Sequence, residues 1–171
     1  MSTASEQRAL GTFGSPFGAL VITASRRGVT SIARRSSVRG IKRGAGRGIV
    51  GDVVAARHVT RAARELREYF AGGRRRFTVP LDLDGTEFQL AAWNDLRRIP
   101  FGTTITYGEQ AHRVGRPRAV RAIGGANGAN PVPIIVPCHR VVASNGEGGY
   151  SLGITMKRAL LAHETALSAA G

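Results

Sequence analysis

Apolar positions along the chain change period several times, and each change marks an element. The stretch "FGALVITAS", Phe17 to Ser25, reads as a strand, and after Gly28 the segment "VTSIA" reads as its hairpin partner. From Val53 to Phe70 the apolar sites Val54, Val59, Ala62, Ala63, Leu66 and Phe70 recur near helical spacing, and "AGG" stops the run. "FTVPLDL" then returns to strand-like alternation, with Pro80 suited to a sheet edge. These pieces predict a small α/β layer. Between them, Ser31 to Gly51 is rich in Arg, Gly and Ser and has no period, so it is expected to be mainly loop.

A second region begins near Asp84. Thr86 and Gln89 have the spacing of a capping box, and Phe88, Ala92, Trp93, Leu96 and Ile99 form a helical apolar stripe that Pro100 and Gly102 end. Thr106 and Glu109 repeat the capping spacing. Pro117 suits the opening turn of a further helix, and two short helices around "VGRP" have the form of a helix-turn-helix. The expected division is residues 1–84 as an α/β N-terminal domain and residues 85–171 as a second, mainly helical one.

Composition narrows the setting. The 171 residues are 42% apolar and contain no run of eighteen continuous apolar residues, and the start "MSTASEQRAL" lacks the apolar core of a signal peptide. A cytoplasmic protein with no membrane partner is expected. The formal net charge of +14 is concentrated in residues 26–76, which hold 15 Lys or Arg against 3 Asp or Glu. Such an excess favours association with any polyanion without locating a face that reads sequence.

The chain's one cysteine lies in "IIVPCHRVV", Ile134 to Val142. A single thiol forms no internal disulfide, and one cysteine with four histidines cannot build a thiolate-rich zinc site. Packing or chemistry remains. Pro137 disfavours helical geometry at Val136, so "IIV" is expected to be a short strand with Cys138 at its end. Adjacent side chains diverge, which makes a direct Cys138 to His139 hydrogen bond unfavourable and calls for a water or a bend between them. His139 could take the thiol proton by that route if a carboxylate held its other nitrogen. Read alone, it serves equally as a surface residue. In "RAIGGANGAN", small residues flank Arg121; Gly124 and Gly125 cost helix stability but permit close backbone approach to a narrow surface such as a DNA groove.

The ordered series "GTEFQLAAW", "TYGEQA", "RAVRAIGGANGANPVPIIVPCHRVV", "GGYSLG" and "KRALLAHE" resembles the catalytic domain of the O6-alkylguanine-DNA alkyltransferases, the methylated-DNA:protein-cysteine methyltransferases. The resemblance covers roughly the C-terminal half; the N-terminal half matches only in broad pattern, notably "SPFGAL", and its Arg/Gly-rich insert is atypical. It implies a winged-helix-like DNA-binding domain with a helix-turn-helix following the α/β domain. It also implies that Cys138 is the nucleophile, His139 its water-linked base, Glu164 the group orienting the imidazole, and Asn130 a brace for the turn entering the site.

By the same resemblance Tyr107 assists the flipped guanine at N3, and Tyr150 and Ser151 form a pocket lid with a backbone donor near O6. Pro133 walls the alkyl group, while the carbonyls of Cys138 and Val141 accept from the guanine amino group. Arg121 is expected to fill the base stack, with Ala122, Gly124, Gly125, Asn127 and Arg140 on the DNA-contacting surface of the minor groove. The implied partner is double-stranded DNA containing O6-alkylguanine, and the implied reaction is one irreversible transfer per molecule, with no cofactor or metal. One departure stands out: Leu152 follows "YS" where the family commonly has glycine, so a narrowed pocket or a disturbed loop is expected, with bulky O6 groups disfavoured.

Overall fold

The computed structural model describes residues 7–38 and 48–170, in two compact units, residues 1–83 and 84–171. In the first, β1 (Arg8–Ser15) and β2 (Gly18–Ser25) form a tight hairpin in unbroken register from Arg8↔Ser25 to Ser15↔Gly18. β3 (Val29–Arg34) adds antiparallel to β2, and the short β4 (Val50–Gly51) adds to β1, giving the order β3-β2-β1-β4. Helix α1 (Val53–Phe70) packs on the strands through Ala55, Val59, Ala62, Leu66 and Tyr69. Asp52 caps it by accepting from the amides of Val54 and Ala55 at 2.9 and 3.0 Å.

Three expectations change here. Strand β1 is absent from the pattern reading because its inward positions Ala9, Gly11 and Phe13 include two nearly side-chain-free residues; a Cβ on Gly11 would stand 2.8 Å from Val59, so glycine lets α1 approach. The supposed loop from Ser31 to Gly51 completes β3, makes one 3-10 turn over Arg35–Ser37 and supplies β4, while its residues 39–47 lie outside the described ones. "FTVPLDL" forms no strand beyond a single bridge, Val29↔Leu81, made by Val29 N donating to Pro80 O and Asp82 N donating to Val29 O, both at 2.9 Å. The reason is a competing acceptor. Glu65 on α1 takes the amides of Thr78 and Val79 at 2.8 and 3.1 Å, and proline has no amide to offer.

The second unit contains α2 (Glu87–Leu96), α3 (Tyr107–Arg113), α4 (Val120–Gly128) and α5 (Ile154–Ala169), with β5 (Ile105–Thr106) parallel to β6 (Val141–Val142). Both expected capping boxes are formed, Thr86 with Gln89 and Thr106 with Glu109. Ala92, Ala111, Ile123 and Ala126 make a core that joins α2, α3 and α4, and the Trp93 indole donates to Ala126 O at 2.8 Å. Helix α4 begins at Val120, not at Pro117, which sits in the preceding turn.

"IIV" is a turn, not a strand. Ile134 adopts φ 76°, a left-handed conformation unfavourable for a β-branched residue, and Val136 N donates back to Val132 O at 2.9 Å. What over-determines the turn is Asn130, whose Oδ1 accepts from Val132 N at 3.0 Å while Nδ2 donates to Val136 O at 2.8 Å. Cys138 therefore opens a 3-10 turn, Cys138–Arg140, on a buried, cross-braced base.

Candidate active site

Cys138 is 4% exposed and contributes to a cavity of about 450 Å³ whose wall also includes Tyr107, Tyr150, Ser151, Gly149 and, from α4, Gly124, Asn127 and Gly128. Burial pushes its thiol up to about 11, against the pull of the Asn130 amide, which donates to Sγ at 3.2 Å, and of the Lys157 charge. At neutral pH the resting sulfur keeps its proton. A base is therefore needed.

His139 follows directly but turns away, its Nε2 bonded to Glu164 Oε1 at 2.7 Å. A carboxylate only accepts, so Nε2 carries the hydrogen and the lone pair lies on Nδ1, which has no hydrogen-bond partner among the described residues. The ring is fully buried, and burial holds its pKa below the ordinary histidine value despite the neighbouring carboxylate. Glu164 stays ionised. Burial opposes its charge, but the hydrogen bonds from His139 and from Arg140 hold its carboxyl well below the usual range. Arg140 grips it with two nitrogens at 2.9 and 3.0 Å, and Gly102 N adds a third donor at 3.0 Å.

Several expected roles move. Arg140 is 6% exposed, forked onto Glu164 and bonded to Ile99 O at 2.7 Å, so it is an internal brace for the carboxylate rather than a DNA contact. Asn127 is likewise buried, donating to Gln110 Oε1 at 2.7 Å and facing the cavity region, not the outer surface of α4. Pro133 and Leu152 are buried, and neither is among the residues that line the cavity. Val141 is buried, and its carbonyl already accepts a hydrogen bond from Lys157 at 2.7 Å. Arg121, Ala122 and Gly125 are exposed on α4 and Gly124 is half-buried. A Cβ on Gly124, Gly125 or Gly128 would meet nothing within 4 Å, so internal packing does not explain these glycines.

Lys157 and Gln110 escaped the sequence reading. The signal for Lys157 was present: Met156, Lys157, Leu160 and Glu164 share one helical face, so a lysine occupies a position that periodicity assigns to the interior. Among the described residues no cluster of His, Cys, Asp or Glu is placed to hold a metal.

Residues 10–83 match the ribonuclease-like domain of 6-O-methylguanine DNA methyltransferase, and residues 87–166 match its DNA-binding domain. The solved structure of Mycobacterium tuberculosis O6-methylguanine methyltransferase is 39% identical, superposes with a TM-score of 0.77, and the match covers 93% of each chain. The chain belongs to the O6-methylguanine-DNA methyltransferase family. The M. tuberculosis protein solved in complex with DNA is 40% identical, with 91% of this chain and 92% of that one covered and a TM-score of 0.77. The methylated-DNA–protein-cysteine methyltransferase of Methanosarcina acetivorans is 52% identical over 101 residues, a match that takes in 58% of this chain and 65% of that protein's length. In this methyltransferase-family chain, the whole cavity wall lies within the segment matched to the DNA-binding domain.

Proposed function

We propose that the protein repairs O6-alkylguanine in double-stranded DNA, chiefly O6-methylguanine, by irreversible transfer of the alkyl group to Cys138. The observation that carries this reading is a buried His139, bonded to Glu164 through Nε2 and with Nδ1 unpartnered among the described residues, directly after a buried thiol at the wall of a cavity with room for a nucleobase. Sγ bonds Asn130 and the imidazole bonds Glu164, so the thiol proton passes to Nδ1 through an intermediary such as one water. The thiolate then attacks the carbon on O6 in line. The S–C bond forms, the C–O bond breaks, and its electron pair goes to the purine, which takes a proton at N3 from Tyr107. The N3–H tautomer becomes ordinary N1–H guanine by proton exchange with water, and the proton held on His139 returns to the Tyr107 phenolate, so the net change is the thiol hydrogen exchanged for the alkyl group. The product is a thioether, which water does not readily cleave, and each molecule acts once.

We read α3 and α4 as a helix-turn-helix of a winged-helix-like domain whose second helix enters the minor groove by its smooth face. The outward glycines lower helix stability by about 1 kcal/mol each relative to alanine without any internal packing to explain them, which suits close approach to DNA. Arg121 fills the stack when the nucleotide rotates out. A cytoplasmic setting, reducing and in reach of DNA, suits a lone nucleophilic thiol.

Cys138→Ser tests the acceptor. A neutral hydroxyl is the poorer nucleophile in nearly the same volume, so binding of alkylated duplex, followed by anisotropy, should persist while transfer disappears. Stoichiometric transfer by Cys138→Ser would remove Cys138 from its assigned role. Tight binding of alkylated DNA by the native chain with no transfer would instead make it a lesion-binding module.

A further inference from the structure

Helix α5 buries a cation for which the steps above have no use. Lys157 is fully buried, its Nζ donating to Val141 O at 2.7 Å and Gly149 O at 3.1 Å, and standing 5.9 Å from the Tyr107 ring centroid. Its electrostatic partners are Cys138 and Glu147. Glu147 is half-buried at most and is engaged by Arg158 at 2.7 and 2.8 Å, while the buried Glu164 is committed to Arg140 and His139. With Glu164 balancing Arg140, His139 neutral and Cys138 a thiol, the buried site holds one positive charge in excess. An ammonium without a buried carboxylate partner is costly to keep in an interior, and such arrangements concentrate where a charge has work to do.

We infer that Lys157 is the counter-charge for the sulfur anion, a positioning residue that offsets the negative charge on Sγ when the Cys138 proton moves to His139 or leaves the site. The inference rests on the alkyl-transfer reading and deepens it. When the C–O bond breaks, the negative charge leaves sulfur for the purine beside Tyr107, whose ring Lys157 also neighbours. The ammonium thus stands near both ends of the path that the charge travels, and no opposite charge has to be reorganised during the step. Its two carbonyl bonds fix it there, tying β6 to the loop that bears Gly149 and Tyr150.

Iodoacetamide modification of the full-length protein without DNA separates this role from a structural one. The thiolate displaces iodide, and no base contact or DNA docking is involved. The titratable and charged groups facing Cys138 and Lys157 are His139 and Arg140 from the 3-10 turn, Tyr107 from α3, Glu164 from α5, and Glu147 and Tyr150 from the loop before α5. All of them are kept in each variant. Lys157→Gln retains an amide donor for the carbonyls, Lys157→Met retains only length, and Lys157→Arg retains the charge. Loss of the charge should move the modification midpoint upward by about one pH unit, lowering the rate below the midpoint about tenfold in the Gln and Met variants, with Lys157→Arg close to the native rate. Loosening of the loop alone predicts the opposite sign, because a more open cavity admits the reagent faster. An unchanged or faster rate in folded Lys157→Gln overturns the inference; if Lys157→Met does not fold, the Gln and Arg pair still decides. Failure of methyl transfer by the native protein, with the iodoacetamide pattern intact, would overturn the alkyl-transfer reading and leave the counter-charge standing.

Discussion

Among the described residues each unit buries one glutamate on a helix, Glu65 on α1 and Glu164 on α5, and the two have nearly the same exposure, 0% and 1%. In both, burial opposes ionisation and the surrounding donors overcome it, holding the carboxyl below its ordinary value. Their neighbours differ. Glu65 is saturated by fixed donors: the amides of Thr78 and Val79, the Thr78 hydroxyl at 2.9 Å and Arg61 at 2.9 Å. Glu164 has an arginine fork and an amide too, but it also takes a hydrogen bond from an imidazole whose other nitrogen has no hydrogen-bond partner among the described residues. A buried carboxylate is a structural rivet when every partner is a permanent donor. It is part of a chemical device when one partner can change protonation state.

The largest expected effect breaks that contrast at Glu164. Glu164→Gln leaves Arg140 and His139 without their anion, and transfer to Cys138 per folded molecule should fall at least about 100-fold in single-turnover assays, the scale of a lost general base. Retention of the native rate in folded Glu164→Gln would mean that the imidazole needs no anchor. Glu65→Gln should do the reverse. It should cost about 2 kcal/mol in urea unfolding at neutral pH, the scale of a hydrogen-bonded charged group, with transfer per folded molecule unchanged. The pH dependence has a definite sign. A carboxyl held below its unfolded value of about 4.3 contributes stability above that pH and loses it as pH falls through the folded value, so Glu65→Gln should flatten the acid limb of the native stability curve. A parallel acid limb in the variant would show that Glu65 is not ionised in the fold.

The same contrast explains what could be read from sequence. Helix α1 and both capping boxes were legible because they depend on local spacing: Val59, Ala62 and Leu66 at helical intervals, Thr86 with Gln89, Thr106 with Glu109. The turn at Ile134 was misread as a strand because its conformation is imposed by the Asn130 side chain and not by the preferences of Ile134, Ile135 and Val136. "FTVPLDL" was misread for the same kind of reason, since Glu65 lies thirteen residues before Thr78 and takes donors that a strand would use. Cys138 and His139 stand out in "IIVPCHRVV" and Glu164 comes through the resemblance, whereas the charge partners Arg140 and Lys157 become visible only when α5 is folded against the 3-10 turn.

A smaller effect is expected outside the cavity. Arg121 is exposed on α4 and forms none of the hydrogen bonds described around Cys138, so Arg121→Ala should lower the transfer rate with duplex substrate by about 10-fold, about 1.4 kcal/mol and thus a part of the few kcal/mol that base flipping costs, and leave the rate with free O6-benzylguanine nearly unchanged. Equal losses with both substrates would place Arg121 in the pocket chemistry or the general fold. The smallest effect on transfer concerns Leu152, 7% exposed and not among the residues lining the cavity. Leu152→Gly should lower stability by about 2–5 kcal/mol, the range for a buried leucine cut back to a small residue, yet keep the benzyl-to-methyl transfer ratio constant. A rise in that ratio with the variant folded would return Leu152 to the alkyl pocket.

The measurement closest to the central claim is a titration of the protein with a defined O6-methylguanine duplex, followed by intact-protein and peptide mass analysis. The account predicts an end point at one lesion per protein molecule, a single mass gain equal to one methylene, and its location on the peptide that contains Cys138. Repair of several lesions per molecule, or methylation found anywhere other than Cys138, would contradict it.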